Sequence, residues 1–244
     1  VLYLEGRNVV LEALRAGRPL AEVILYSGVR EDAKISEILK LASRAQVPVR
    51  RLKRKELQKI SQTGVPQGVI ALTWKAGPTN LTEVLEKFRA ASPPPFILVL
   101  PEVQNEQNLG AILRSAEGAG VAVVLLPPRS RGVTPVVART SMGASEYLPV
   151  VQANIFSSLR QLRDEGFLVV GADATGKLNY WQVDLTGPVA LVVGGEDRGL
   201  TEPLQKACEA VVSIPLQGQL NSLNIGVSAA ILMFERVRQL REVD

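Results

Sequence analysis

FILVLPEVQNEQNLGAILRSAEGAGVAVVLL, Phe96–Leu126, decides how the larger part of this chain folds. Five apolar residues open it, Phe96–Leu100, with no polar position to face water. A run of this kind predicts a strand buried on both faces. In the middle, Leu109, Ile112, Leu113 and Ala116 recur at i, i+3, i+4 and i+7, the stripe of an amphipathic helix. A second apolar run, Val121–Leu126, closes the stretch as another strand. Strand, helix and strand in about 30 residues is a crossover unit, so the two strands lie parallel.

The pattern repeats downstream. TPVVARTSMGA (134–144) and IFSSLRQLRDEG (155–166) predict helices, EYLPVV (146–151) and FLVVGAD (167–173) strands. PVALVVGG (188–195), LTEPLQKAC (200–208) and AVVSIPL (210–216) predict strand, helix and strand, and a last helix runs from about Ser222 to Arg241. The fold class is α/β, a mostly parallel sheet with helices on both faces, over residues 95–244. Upstream, helix and strand patterns alternate through residues 1–74 and form a smaller α/β unit. It holds three helices, at 8–17 with Asn8 as N-cap, 31–45 and 53–62, and three strands, at 21–27, 47–52 and 68–74. Residues 75–94 carry Gly77-Pro78 and the run Pro93-Pro94-Pro95 overlaps their end, which predicts a linker with one short helix.

The 244 residues are 46% hydrophobic and 21% charged, enough to bury a sizeable core. There is no histidine and one cysteine, Cys208. Imidazole bases, histidine zinc sites, multi-cysteine metal sites and internal disulfides are therefore excluded, and no metal is expected. The apolar runs are too short to span a bilayer and the first residues lack a signal-peptide pattern, so a cytoplasmic protein without membrane contact is expected. Charge is uneven: residues 1–77 carry a net +7 and residues 78–244 a net −3. The excess peaks at RRLKRK, where Arg50, Arg51, Lys53, Arg54 and Lys55 fill five of six positions. Either this is a solvated helix start or it binds a polyanion. Cations oppose the dipole at a helix N-terminus, which favours an RNA or DNA phosphate partner.

Ligands of open parallel sheets bind beyond the carboxyl ends of the strands. No G-x-G-x-x-G fingerprint and no phosphate loop occurs there, so dehydrogenase and ATPase readings fall away. Three strand ends stand out. In the first, Arg114 lies beside the apolar stripe with Gly110 and Gly118 at i−4 and i+4. Each glycine costs about 1 kcal/mol in a helix. Arg114 either pairs with Glu117 or faces a cleft to hold an anion, and Asn108 is a candidate helix cap. In the second, LVVGGEDRGL (191–200), paired glycines permit close backbone approach and Glu196 and Asp197 precede a helix. In the third, SIPLQGQLNSLNIGVSAAILMFE (213–235), a long loop enters a helix whose first turns carry Ser222, Asn224, Gly226 and Ser228, and whose core stripe reads Leu223, Val227, Ala230, Ile231 and Phe234. Its free N–H groups suit an adenine or a carboxylate, while Ser222 can equally serve as a cap.

In order, NLGAILRSA, LVVGGEDRGL and IPLQGQLNSLNIGVSAAILMFE resemble the three motifs of the SpoU (TrmH-type) RNA 2′-O-ribose methyltransferases, a branch of the SPOUT superfamily. GRNVVLEAL and VPQGVIAL resemble that family's N-terminal substrate-binding domain. The resemblance implies a deep C-terminal trefoil knot, S-adenosylmethionine (AdoMet) as cofactor, and a homodimer formed through the catalytic domain. It implies catalytic positions at Asn108, Arg114, Glu196, Ser222 and Asn224, and cofactor contacts at Gly194, Ile214 and Leu223. The substrate it implies is RNA, ribosomal RNA ahead of transfer RNA, with a guanosine in large-subunit RNA as target. A non-catalytic RNA-binding protein of the same fold is the alternative. Two departures stand out: QNEQN replaces the Asp-Pro that precedes the first-motif asparagine in many relatives, and Pro66 replaces a histidine before QGV.

Overall fold

The computed structural model describes residues 2–74, 80–195 and 198–243. The chain forms two compact units, Val1–Gly77 with Val133–Tyr147, and Pro78–Gly132 with Leu148–Asp244.

The first unit begins with β1 (Leu2–Glu5), α1 (Arg7–Arg15), β2 (Leu20–Tyr26), α2 (Ala33–Arg44), β3 (Val49–Leu52), α3 (Arg54–Ile60) and β4 (Val69–Thr73). Its sheet runs β1-β4-β2-β3, with antiparallel pairs on both sides of β4 and a parallel β2–β3 pair. Strand β1 is not among the strands the sequence pattern predicts. Helix α1 starts at Arg7 behind Gly6, so Asn8 is not the cap; its side chain accepts from Lys34 Nζ at 2.6 Å. The stripe of α2 behaves as expected, with Ile35, Ile38 and Ala42 buried. Glu5 is fully buried, and a buried carboxylate needs donors. It accepts from the Ser61 hydroxyl at 2.7 Å, the Thr63 hydroxyl at 2.6 Å and the Gln62 N–H at 2.5 Å.

The second unit opens with α4 (Leu81–Phe88), β5 (Phe96–Val99), α5 (Glu106–Gly118) and β6 (Val123–Leu126). Leu81, Val84 and Leu85 are buried in its core, so α4 is part of this unit rather than of a connector, as residues 75–94 were expected to be. Residues 75–79 of that expected linker lie outside the described residues. The chain next supplies α6 (Pro135–Thr140) to the first unit, where Thr134 caps it and Ala138 joins the core. The sequence pattern had assigned this helix to the second domain. Within the first unit Arg18 grips the Glu146 carboxylate at 2.7 and 2.9 Å.

The second unit then continues through β7 (Val150–Gln152), α7 (Ile155–Asp164), β8 (Leu168–Ala172), β9 (Leu178–Asn179), β10 (Val189–Val193), α8 (Glu202–Lys206), β11 (Ala210–Ser213) and α9 (Ile225–Val243). The seven strands order as β7-β6-β5-β10-β8-β11-β9 and every pair is parallel. This is the mostly parallel sheet the sequence predicts. Strands β5, β6 and β10 are buried along their whole length, which is why they read as unbroken apolar runs.

Helix α9 corrects one expectation. Its buried face is Ile225, Ala229, Leu232 and Met233, while Val227 and Phe234, placed in the core by pattern, are exposed. Farther along, the same buried side carries Arg236, 2% exposed. Its guanidinium donates to the carbonyls of Leu185, of Gly187 at 2.7 Å and of Pro94 at 2.5 Å, and stacks 5.0 Å above the Phe96 ring. Burial pulls its pKa down to about 10, against the opposing pull of Asp184. Gln239 adds two bonds to the same loop, accepting from Leu185 N–H at 2.8 Å and donating to Val183 O at 3.0 Å.

Candidate active site

The carboxyl ends of β8, β10 and β11 open onto a cleft of about 390 Å³ within the second unit. Three segments wall it: Ala172–Thr175 after β8, the glycine turn after β10, and the run from Ile214 to Ile225 before and into α9. Gly194, Ile214 and Leu223, expected at a cofactor, all line it, as does Ser222.

The glycine turn is shaped by close backbone packing. A Cβ on Gly194 would lie 2.5 Å from the Gly199 carbonyl carbon and 2.7 Å from Leu200 N, so no side chain fits. Gly195 and Gly199 exchange two N–H···O bonds, at 3.1 and 3.2 Å. Gly199 has φ +61°, a region that glycine enters without cost. The chain is thereby pinched beside the cleft, where Gly194, Gly195 and Gly199 line it together with Arg198. Glu196 lies outside the described residues.

Asp173 fixes the turn from the opposite wall and escaped the sequence reading. Its carboxylate accepts from Leu200 N–H at 2.6 Å, Thr175 N–H at 2.9 Å and the Thr175 hydroxyl at 2.6 Å. Burial alone would raise its pKa, but the bonds from Thr175 and Leu200 outweigh burial and hold it below the ordinary aspartate value. The signal was available in GADATG: a D-x-T turn at a strand's carboxyl end is where a ligand loop is expected.

The first and third motifs meet at the start of α9. Asn224 caps that helix, its Oδ1 accepting from Gly226 N–H at 2.8 Å, and its Nδ2 donates to Asn108 Oδ1 at 3.2 Å. Asn108 is not the cap of α5. That role belongs to Asn105, whose side chain accepts from Gln107 N–H at 2.7 Å. Asn108 in the first turn instead ties α5 to the loop whose Asn221, Ser222 and Leu223 line the cleft. Ser222 lies three residues before α9 and is exposed, so it does not cap the helix.

Arg114 is exposed on α5 and makes no ion pair with Glu117 or with any other described residue. Gly118, one turn on, turns its open side to α9: a Cβ there would reach the Phe234 ring at 4.0 Å. In the first unit, Arg50 and Arg51 are engaged with Glu22 (2.7 Å) and Glu31 (2.8 Å), whereas Lys53, Arg54 and Lys55 have no ion pair among the described residues. No group of three or more His, Cys, Asp or Glu among the described residues could hold a metal, and no described helix is long and apolar enough to cross a membrane.

The geometry defines an α/β domain with a cleft of small-molecule size at the carboxyl edge of its sheet, bounded on one side by a glycine turn. Comparison with known proteins names the family. Residues 95–234 match the SpoU rRNA Methylase family and residues 3–77 match the RNA 2′-O ribose methyltransferase substrate binding family. The chain belongs to the SpoU family of RNA methyltransferases. It is 36% identical, over 97% of its length and 76% of the relative's, to an uncharacterized tRNA/rRNA methyltransferase of Mycolicibacterium vanbaalenii. Among solved structures, an RNA 2′-O ribose methyltransferase superposes with a TM-score of 0.82 at 30% identity, covering 97% of this chain and 88% of that one. An AdoMet-bound rRNA methyltransferase from Sinorhizobium meliloti superposes with a TM-score of 0.77 at 25% identity, covering 98% and 87%.

Proposed function

We propose that this chain transfers a methyl group from AdoMet to a ribose 2′-hydroxyl of RNA, with ribosomal RNA, and a guanosine in it, as the favoured target. The observation that carries the reading is the junction of the three motifs. The Asn224–Asn108 bond ties the helix bearing Arg114 to the rim of the glycine-lined cleft. The cleft fits AdoMet: its volume lies in the range of small-molecule sites, and a side chain at Gly194 would collide with the backbone of the turn. Gly194, Ile214 and Leu223 would hold the cofactor through backbone and apolar surface, and Asp173 would keep the turn in shape.

When bound, AdoMet supplies an activated methyl group, so no metal is needed. The chain's task is the hydroxyl, a poor nucleophile until its proton is shared. A guanidinium offers five donors in a fixed fork and no acceptor, so Arg114 is read as the group that binds anions rather than as the base. With no ion-pair partner among the described residues, it holds the phosphate next to the target ribose and stabilises the developing alkoxide, while the hydroxyl proton passes to Glu196 or water. Asn108 and Asn224 position α5 against the cleft, and Ser222 offers a hydroxyl at its rim. Glu196 follows Gly195 in the second motif and would complete the polar set. Lys53, Arg54 and Lys55 would hold RNA phosphates farther from the chemistry, with Arg50 and Arg51 beside them.

Two further readings follow. The exposed Val227 and Phe234 on α9 are the apolar face a second copy would cover in a homodimer. The long return from β11, near one edge of the sheet, to α9, which packs on α5, is the segment that would thread a trefoil knot. The enzyme would work in the cytoplasm, where its RNA is.

Labelled AdoMet with unmodified ribosomal and transfer RNA tests the reading. Label at one alkali-resistant position of one rRNA is the expected result. Label in tRNA alone would move the substrate, and binding of both ligands without transfer would make this a non-catalytic RNA-binding protein. Arg114→Lys should lose most of the single-turnover rate and keep AdoMet binding; near-normal turnover would remove Arg114 from the chemistry.

A further inference from the structure

A second cavity, about 280 Å³, lies in the same unit at the carboxyl ends of β5 and β6, between the 102–106 loop and the 127–132 loop. Nothing above assigns it a ligand. Its polar lining is divided by charge. One side carries Glu102, Gln104 and Glu106, the other Arg129 and Arg131. The two guanidinium groups are little engaged: Arg131 has only a 3.9 Å contact to Glu106, and Arg129 makes no bond to any described residue. Their loop is nevertheless held in place. Gln152 on β7 donates to Ser130 O at 2.6 Å and to its hydroxyl at 2.9 Å, and Gly132 takes φ +63° against the same glutamine. One guanidinium without a partner among the described residues and one weakly paired, both on a tethered loop, are available to an anion.

The cavity adjoins the cofactor cleft through one side chain. Glu102 lines the cavity, and a Cβ at Gly195, which lines the cleft, would fall 3.0 Å from the Glu102 Cβ. Glu102 therefore stands as the partition between them. Its Oε1 accepts from Gln104 Nε2 at 2.9 Å, which leaves lone pairs on both oxygens for a ligand.

We propose that this cavity receives the target nucleotide of the RNA, with its 5′-phosphate on Arg129 and Arg131, its 3′-phosphate left to Arg114 and its base against Glu102, and that Glu102 selects guanine. The inference rests on the proposed reaction for the identity of the ligand, not for the chemistry of the cavity. A carboxylate only accepts hydrogen bonds. Guanine alone among the four bases offers two adjacent N–H donors, the ring N1–H and the exocyclic N2–H2, matched to a two-oxygen acceptor. Apolar surface from Val103, Leu109 and Leu126 would take the ring faces. The volume suits one nucleotide and not a longer segment, so the target would enter turned out from its neighbours. With its base against the partition, the nucleotide would lie beside the cleft where the methyl group waits.

The test uses the full chain saturated with AdoMet, so that the adenosine-binding cleft is filled, and titrates the four nucleoside 5′-monophosphates by NMR. Guanosine monophosphate should bind best, by roughly tenfold or more. Glu102→Gln, which keeps the shape, should erase that preference. Arg129→Ala with Arg131→Ala should weaken all four alike. With single-stranded RNA, the same double variant should lower the log–log salt slope of binding by about 1.4. Equal binding of the four monophosphates, a preference that survives Glu102→Gln, or an unchanged salt slope would each overturn the proposal. Failure of AdoMet to bind or of methyl transfer to occur would instead strike the proposed reaction, and both are read separately.

Discussion

Replacing Gly199 by alanine probes how much the cleft depends on its glycine turn. Two costs follow from the structure. At φ +61° an alanine sits in the left-handed region, at a cost of about 1–2 kcal/mol. Its methyl group would also run into the Asp173 carboxylate, far inside van der Waals contact. The carboxylate must then release Leu200 N–H, now bonded at 2.6 Å. A hydrogen bond to a charged group contributes about 1.5–3 kcal/mol. Together the turn loses about 2.5–5 kcal/mol, and it sits at the cleft rather than in the core. Binding weakens by the fraction of molecules that keep the competent turn, so a loss of about 3 kcal/mol raises the apparent Kd for AdoMet roughly 160-fold. Equilibrium dialysis measures this directly, with a urea melt as control on the fold. Asp173→Ala removes the obstacle as well as the bond, so the double variant should bind better than the sum of the two single losses predicts. Gly199→Ala binding within threefold of the parent would refute the idea that this turn shapes the site.

Other outcomes follow from the same contacts. Asp173 has a lowered folded-state pKa, so its contribution to the turn is present above the ordinary value near 3.8 and is lost as pH falls through the folded value; AdoMet affinity should hold level from pH 7 to 5 and decline only in stronger acid, as calorimetry would show. Arg236→Met leaves three carbonyls without their donor, and a loss of roughly 3–5 kcal/mol in urea unfolding is expected after allowing for the relief of a buried charge. Lys53→Ala, Arg54→Ala and Lys55→Ala together should lower the salt slope of RNA binding by about 2. Arg50→Ala with Arg51→Ala should change it less, because Glu22 and Glu31 already hold those guanidinium groups.

Periodicity served well where an element has one apolar side. Leu109, Ile112, Leu113 and Ala116 are buried as a stripe predicts, and the unbroken runs at β5, β6 and β10 are central strands. It failed on α9 because that helix is apolar on two sides. Val227 and Phe234 repeat at helical spacing as faithfully as Ala229 and Met233, and only the position of the sheet decides which pair is covered. Asparagine composition likewise announced a cap for α5 but pointed to Asn108, whereas Asn105, three residues earlier, holds that place. The strand-end rule led to the segments 191–200 and 213–235, and within them the family resemblance picked out Gly194, Ile214, Ser222 and Leu223, all of which line the cleft. The turn after β8, GADATG, lies at the same edge of the sheet and holds Asp173. The charge density of RRLKRK was plain, but the engagement of its first two arginines depends on Glu22 and Glu31, more than 15 residues away in the chain. The membership of Val133–Tyr147 in the first unit left no trace in local pattern, since a helix looks the same whichever core receives it.

The grip of Arg236 on Pro94 joins residues 142 positions apart. A ribosome adding about 5–20 residues each second needs roughly 7 to 28 s to make the second after the first. For that interval β5, and β10 once it is made, exist without the helix that satisfies the carbonyls at their amino ends, and until its last part the cleft lacks the wall that Ile214 to Ile225 provide. The catalytic unit is therefore completed late in synthesis, and a nascent chain cannot bind its cofactor until α9 is made.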